Sequence, residues 1–80
     1  MPETPLRKAT AEAVRALRES KGLTRRELAE QSGLSADWIR RLESGKHETT
    51  WETLKAVAQG LGVSLAEFSQ KVERMERKGK

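Results

Sequence analysis

The 80-residue sequence contains no cysteine and a single histidine, His47. The first absence excludes disulfides and thiolate metal sites, and the second excludes an intrachain histidine cluster for metal binding or proton transfer. Aromatic residues make up 4% of the chain and hydrophobic residues 35%, a balance that suits a small helical bundle better than a β-sandwich. No apolar run approaches the roughly 18 residues of a membrane span. The opening MPETPLRKAT lacks the apolar stretch of a secretory signal, so the expected location is the cytoplasm. No nucleophile–base pairing or metal-ligand set points to an enzyme, and neither a cofactor nor a small-molecule substrate is expected. Internal repeats and low-complexity segments are absent as well.

Charge is what the sequence has in quantity. Lys and Arg number 16 against 12 Asp and Glu, a net charge of +4. This favours an acidic partner such as nucleic acid, although a solvated basic surface has the same composition. Eighty residues make one domain, 1–80, near the size at which a core becomes marginal without help. Stability must come from helix packing, with a partner subunit as a further source.

The most informative stretch is Thr24–Gly45, TRRELAEQSGLSADWIRRLESG. Thr24 and Glu27 have the spacing of a capping box, which satisfies two orphan amides at a helix start. Leu28 and Ala29 face inward along that helix. Gly33 stands where the chain must turn into a left-handed conformation, which glycine adopts without steric cost. Ser35 is the expected N-cap of a second helix, with Ile39 and Leu42 as its apolar side and Gly45 as its stop. A helix, a glycine-containing turn and a second helix form a helix-turn-helix.

Around this unit three more helices are expected. The first starts at Thr4-Pro5 or only near Thr10, presents Ala13, Val14 and Leu17 on one face, and ends before Gly22. After the loop Lys46–Thr49 a fourth helix starts at Thr49 or Thr50, with Leu54, Val57, Ala58 and Leu61 inward. Gly60 within it costs about 1 kcal/mol relative to Ala, which hints at a close helix contact. Gly62 ends it. Ser64-Leu65-Ala66-Glu67 is a second capping box, and Leu65, Phe68, Val72 and Met75 follow at helical spacing. The expected fold is all-α, a compact five-helix bundle. Its ordered core would cover about 9–72, with 1–8 a mobile arm and 76–80 frayed. Two fragments are punctuation only. Ser44-Gly45-Lys46 lacks the rest of a phosphate loop, and Gly60-Leu61-Gly62 has no preceding strand and no third glycine.

From about Ala9 to Phe68 the chain resembles the Cro/phage-repressor, or XRE-like, helix-turn-helix family. The resemblance is carried by LRESKGLTRRELAEQSGLS, WIRRLESGK and TWETLKAVAQGLGVSLAEF in that order, about three quarters of the sequence. It implies a lambda-repressor-like DNA-binding domain with Ser35–Ser44 as recognition helix. In size the chain also resembles the controller proteins of restriction–modification systems. With Ile39 and Leu42 turned inward, a rotation of about 100° per residue puts Asp37, Arg41 and Ser44 on the opposite side, Arg40 beside them and Ala36 on a flank. The major groove admits such a helix. Arg41 can bond bidentately to guanine, Asp37 can accept from a cytosine amino group, and Ala36 can touch a thymine methyl. The family places base contacts at the positions of Ala36, Asp37 and Arg41, but more often with Gln, Asn, Ser or Arg at the first two. Asp37 has an equal alternative as a first-turn acid stabilising the helix dipole. Candidates for phosphate contact are Arg25, Ser35, Arg40, Lys46 and His47. The family commonly pairs the glutamate at the position of Glu43 with an arginine of the first helix, which here implies a partly buried Arg18–Glu43 ion pair.

The expected function is a sequence-specific double-stranded DNA-binding transcriptional regulator, acting as a homodimer on a palindromic site. Trp51, Phe68 and Val72 are the expected dimer contacts; the alternative is that Leu65, Phe68 and Val72 all belong to the intramolecular core. A different class of function is a protein-interaction module, antitoxin- or coactivator-like, which the acidic Asp37 on the outer side favours.

Overall fold

The computed structural model describes residues 6–47 and 49–78, with only the backbone of Lys78. These residues form five α-helices: α1 (Leu6–Ser20), α2 (Arg25–Ser32), α3 (Ala36–Glu43), α4 (Trp51–Leu61) and α5 (Leu65–Lys78). Both capping boxes form. The Thr24 hydroxyl accepts from the Glu27 amide at 3.0 Å while Glu27 Oε1 accepts from the Thr24 amide at 2.8 Å, and Ser64 and Glu67 exchange the same pair at 3.0 and 2.9 Å. Thr50 rather than Thr49 caps α4, accepting from the Thr53 amide at 3.2 Å. The Thr49 hydroxyl is buried without a hydrogen-bond partner among the described residues.

The turn between α2 and α3 is set by Gly33, whose φ of 72° is left-handed. Its conformation lets the Leu34 amide reach back to the Ala29 carbonyl at 2.9 Å, closing the end of α2 and turning Leu34 onto the core. The helices enclose one apolar cluster. Ala9, Ala13 and Val14 come from α1, Leu28 and Ala29 from α2, and Ile39 and Leu42 from α3. Val57, Ala58 and Leu61 of α4 and Phe68 and Val72 of α5 complete it. Gly60 marks the closest approach of two helices. A Cβ there would collide with Ser32 Oγ of α2 and lie 3.1 Å from the Ser32 amide nitrogen and 3.2 Å from Leu28 Cδ1.

The N-terminal helix includes Leu6–Lys8, so it does not wait until Thr10, and the last helix runs into the stretch expected to fray. Of the expected arm, 1–5 lie outside the described residues, but Leu6–Lys8 form the first turn of α1. The reason is tertiary: Gly45 sits so close to this turn that a Cβ on it would be 3.4 Å from Lys8 Cα and 3.6 Å from Ala11 Cβ. The Thr10 hydroxyl, buried, donates to the Leu6 carbonyl at 2.8 Å. At the other end α5 runs through Glu76 to Lys78, helped by Met75 packing on the core; residues 79–80 lie outside the described residues.

Candidate nucleic-acid interface

The site is built on α3. Ser35 accepts from the Trp38 amide at 3.0 Å and starts the helix. Ile39 and Leu42 are buried and fix which side faces in, and Trp38, half-buried against the core, closes that edge. The opposite side, with Ala36, Asp37, Arg40, Arg41 and Ser44, is exposed. No part of the described chain covers it.

On that side the charged residues are joined. Arg40 Nη2 donates to Asp37 Oδ1 at 2.7 Å, and Arg41 Nε lies 3.0 Å from Asp37 Oδ2. The hydrogen bond from Arg40, reinforced by the positive charge of both arginines, holds the Asp37 carboxyl below the usual carboxylate range. All three side chains are more than half exposed, so the cluster contributes little to stability. The sequence carried a signal for it, since Asp37 precedes the two arginines by three and four residues. Ser44 has a local duty: its hydroxyl donates to the Arg41 carbonyl at 2.6 Å and accepts from the Lys46 amide at 3.3 Å, closing the helix end. The Lys46 and His47 side chains beyond it are exposed.

Behind α3 lies an ion cluster. The Glu43 side chain is fully buried, with 0% exposure, and Arg18 grips it with Nε at 2.7 Å from Oε2 and Nη2 at 3.2 Å from Oε1. Arg18 is 12% exposed, and its Nη1 donates to the Leu23 carbonyl at 2.8 Å. The hydrogen bonds to Glu43 raise the Arg18 pKa further above its ordinary value. The expected pair is therefore present, and deeper than partly buried on the glutamate side. Two more cations join it. Arg25 Nε donates to Glu43 Oε1 at 3.0 Å, and Arg15 Nε lies 3.8 Å from the same oxygen while its Nη2 donates to the Glu43 carbonyl at 3.4 Å. Arg25, expected at a phosphate, thus commits its Nε to Glu43, and only its terminal nitrogens make no hydrogen bond among the described residues. Arg15 was not singled out by the sequence. Its spacing of three from Arg18 put both on one face of α1, but only the packing of α3 across α1 gives that face a partner.

A different face carries the exposed apolar residues. Leu6 and Trp51, 63% and 64% exposed, stand on a groove of about 240 Å³ that is also lined by Thr10, Leu54, Phe68, Val72, Glu73 and Glu76. Phe68, 2% exposed, and Val72 belong to the intramolecular core. That corrects their placement as outward contacts. Both are consumed in holding α5 to the bundle and reach this groove only as its floor. Among the described residues no group of acidic or histidine side chains is arranged to hold a metal ion, and no helix is long and apolar enough to cross a membrane.

Residues 10–70 match the family model of a helix-turn-helix domain. The chain is 40% identical over 63 residues to an uncharacterized HTH-type transcriptional regulator, y4dJ, of Sinorhizobium fredii, covering 79% of this chain and 82% of that one. Its structure is similar to that of the clp gene regulator ClgR from Corynebacterium glutamicum, at a TM-score of 0.86 and 38% identity over 96% of this chain and 83% of that one. The wild-type restriction–modification controller protein C.Esp1396I is similar at a TM-score of 0.87 and 26% identity, over 95% of this chain and 99% of that one. The five-helix arrangement, the outward arginine side of α3 and these matches agree: the chain belongs to the helix-turn-helix family of XRE-like transcriptional regulators.

Proposed function

We propose that the chain is a cytoplasmic, sequence-specific regulator that binds double-stranded DNA with α3 in the major groove. The observation that carries this reading is the two-sided construction of α3, seated by Ile39 and Leu42 and open along Ala36, Asp37, Arg40, Arg41 and Ser44. Arg41 is the principal base reader, through a guanine, with Ala36 and Ser44 at the flanks and Asp37 between. Ser35, Arg40, Lys46, His47 and the terminal nitrogens of Arg25 set the register against phosphates.

The regulator acts as a homodimer on a palindromic site, since two reading helices about 34 Å apart supply the selectivity that one lacks. Trp51 and Leu6, with the groove between α1, α4 and α5, form the contact. Support for this face is the concentration there of the large exposed apolar side chains.

The test is selection of bound duplexes from a random pool, followed by affinity measurement. Arg41→Ala is expected to cost about 1–3 kcal/mol at one base position, while Lys46→Ala weakens all duplexes alike and lowers the salt slope by about one. A flat profile across sequences refutes the DNA reading and favours the protein-interaction module. A solution mass that stays monomeric at all concentrations refutes the dimer.

A further inference from the structure

The centre of the reading side holds an acid, which a surface facing phosphates would ordinarily exclude. Asp37 is exposed, and as an acid in the first turn of α3 it favours the helix dipole, which any acid there would do without choosing partners. Here it touches both arginines, one on each oxygen: Arg40 Nη2 at Oδ1 and Arg41 Nε at Oδ2. The Arg41 contact is ionic, with Nε 3.0 Å from Oδ2, and its two Nη groups make no hydrogen bond among the described residues. Two parallel N–H donors on a guanidinium edge match O6 and N7 of guanine. A free arginine on an exposed helix loses rotamer freedom when it docks and can turn to a phosphate instead. One already paired with a carboxylate on its own helix avoids part of that loss.

We propose that Asp37 is a specificity-determining positioning residue. By holding Arg41 at Nε it presents the Nη edge to guanine and keeps it from the neighbouring phosphates, while Arg40 on the second oxygen neutralises the acid toward the duplex. This rests on α3 being the DNA-reading helix. It assigns Asp37 no base of its own.

The test uses the full chain and a duplex selected by it. Arg41→Ala first identifies the guanine on which Arg41 acts. Affinities at fixed salt are then compared between that duplex and two others, in which this guanine is replaced by adenine or by 7-deazaguanine, which lacks N7. For the wild type a bidentate contact corresponds to about 5- to 150-fold discrimination. Asp37→Asn and Asp37→Ala are expected to bind unselected DNA at least as tightly as the wild type, having lost a negative charge, with discrimination at the Arg41 guanine cut by about 5-fold or more. Asp37→Glu recovers part of it. Thermal unfolding of the three variants should match the wild type, because the side chain is exposed. Discrimination at that guanine that persists in Asp37→Asn overturns the proposal, as does a change confined to a cytosine position. A protein that selects duplexes but has no Arg41-dependent guanine overturns it while leaving the DNA reading intact. A wild type that selects no duplex overturns both.

Discussion

Replacing Glu43 by Gln keeps the shape of the side chain and removes its charge. In the folded protein the Glu43 side chain has no exposed surface, and two of the three hydrogen bonds of Arg18 end on it. Gln offers one acceptor oxygen, and its amide turns donors toward a guanidinium that is itself 12% exposed. Arg18 then keeps the Leu23 carbonyl and at most one amide oxygen, and loses the buried carboxylate that balanced its charge. Removing one partner of a buried pair costs about 3–5 kcal/mol. The Arg25 and Arg15 contributions are smaller, since those side chains are 43% and 51% exposed and exposed pairs are worth about 0.2–1 kcal/mol each. Against the ~4–12 kcal/mol expected for a domain of this size the loss is large. It corresponds to a fall in Tm of more than about 12 °C. Urea and thermal unfolding at fixed protein concentration measure it, with a separate cycle through Arg18→Met, Glu43→Leu and the double variant Arg18→Met/Glu43→Leu. The double variant should be less destabilised than either single one, because an apolar pair strands no charge. A Glu43→Gln cost below ~1 kcal/mol, or simple additivity in the cycle, refutes the account of this cluster as a buried, coupled clamp.

Gly60→Ala should destabilise despite the gain of about 1 kcal/mol in helix propensity, since overpacking against Ser32 and Leu28 costs about 1–3 kcal/mol. Adding Ser32→Ala, which removes the colliding hydroxyl, should recover part of the loss; a Gly60→Ala protein with a raised urea midpoint contradicts the close approach. The Glu67 carboxyl is held below its ordinary value of 4.5, first by the Ser64 amide that donates to it and then by the Ser64 hydroxyl. Because its folded pKa is depressed, the stability it contributes is present above 4.5 and is lost as pH falls through the folded pKa. The stability difference between wild type and Glu67→Gln should therefore hold constant from neutral pH to about 4.5 and shrink below it. A difference that persists unchanged in acid contradicts the ionised cap.

Local chemistry was legible in the sequence because it depends on neighbours along the chain. Thr24 with Glu27, Ser64 with Glu67, Gly33 and the Ile39/Leu42 spacing each act within one or two turns. The inward side of α3, and with it the outward position of Arg41, follows from the same periodicity. The Arg18–Glu43 pair, 25 residues apart, came from family resemblance. Arg15 and Arg25 were not legible as partners of Glu43, since a long side chain's partner depends on which helices cross nearby. For the same reason the start of α1 was open between Thr4-Pro5 and Thr10: the first turn lies close to Gly45, far away along the chain. Phe68 and Val72 could face either way by spacing alone. The tertiary fold turns them in.

The eight residues of α3 divide their labour by side. Ile39, Leu42 and Glu43 are buried in the body of the domain, whereas Ala36, Asp37, Arg40 and Arg41 are exposed. The latter four can be exchanged during evolution, or by an engineer, at almost no cost in folding, while the rod keeps its seat and its angle. A scaffold of this kind serves as a holder for interchangeable type: descendants can diverge in the letters they print without redesigning the press.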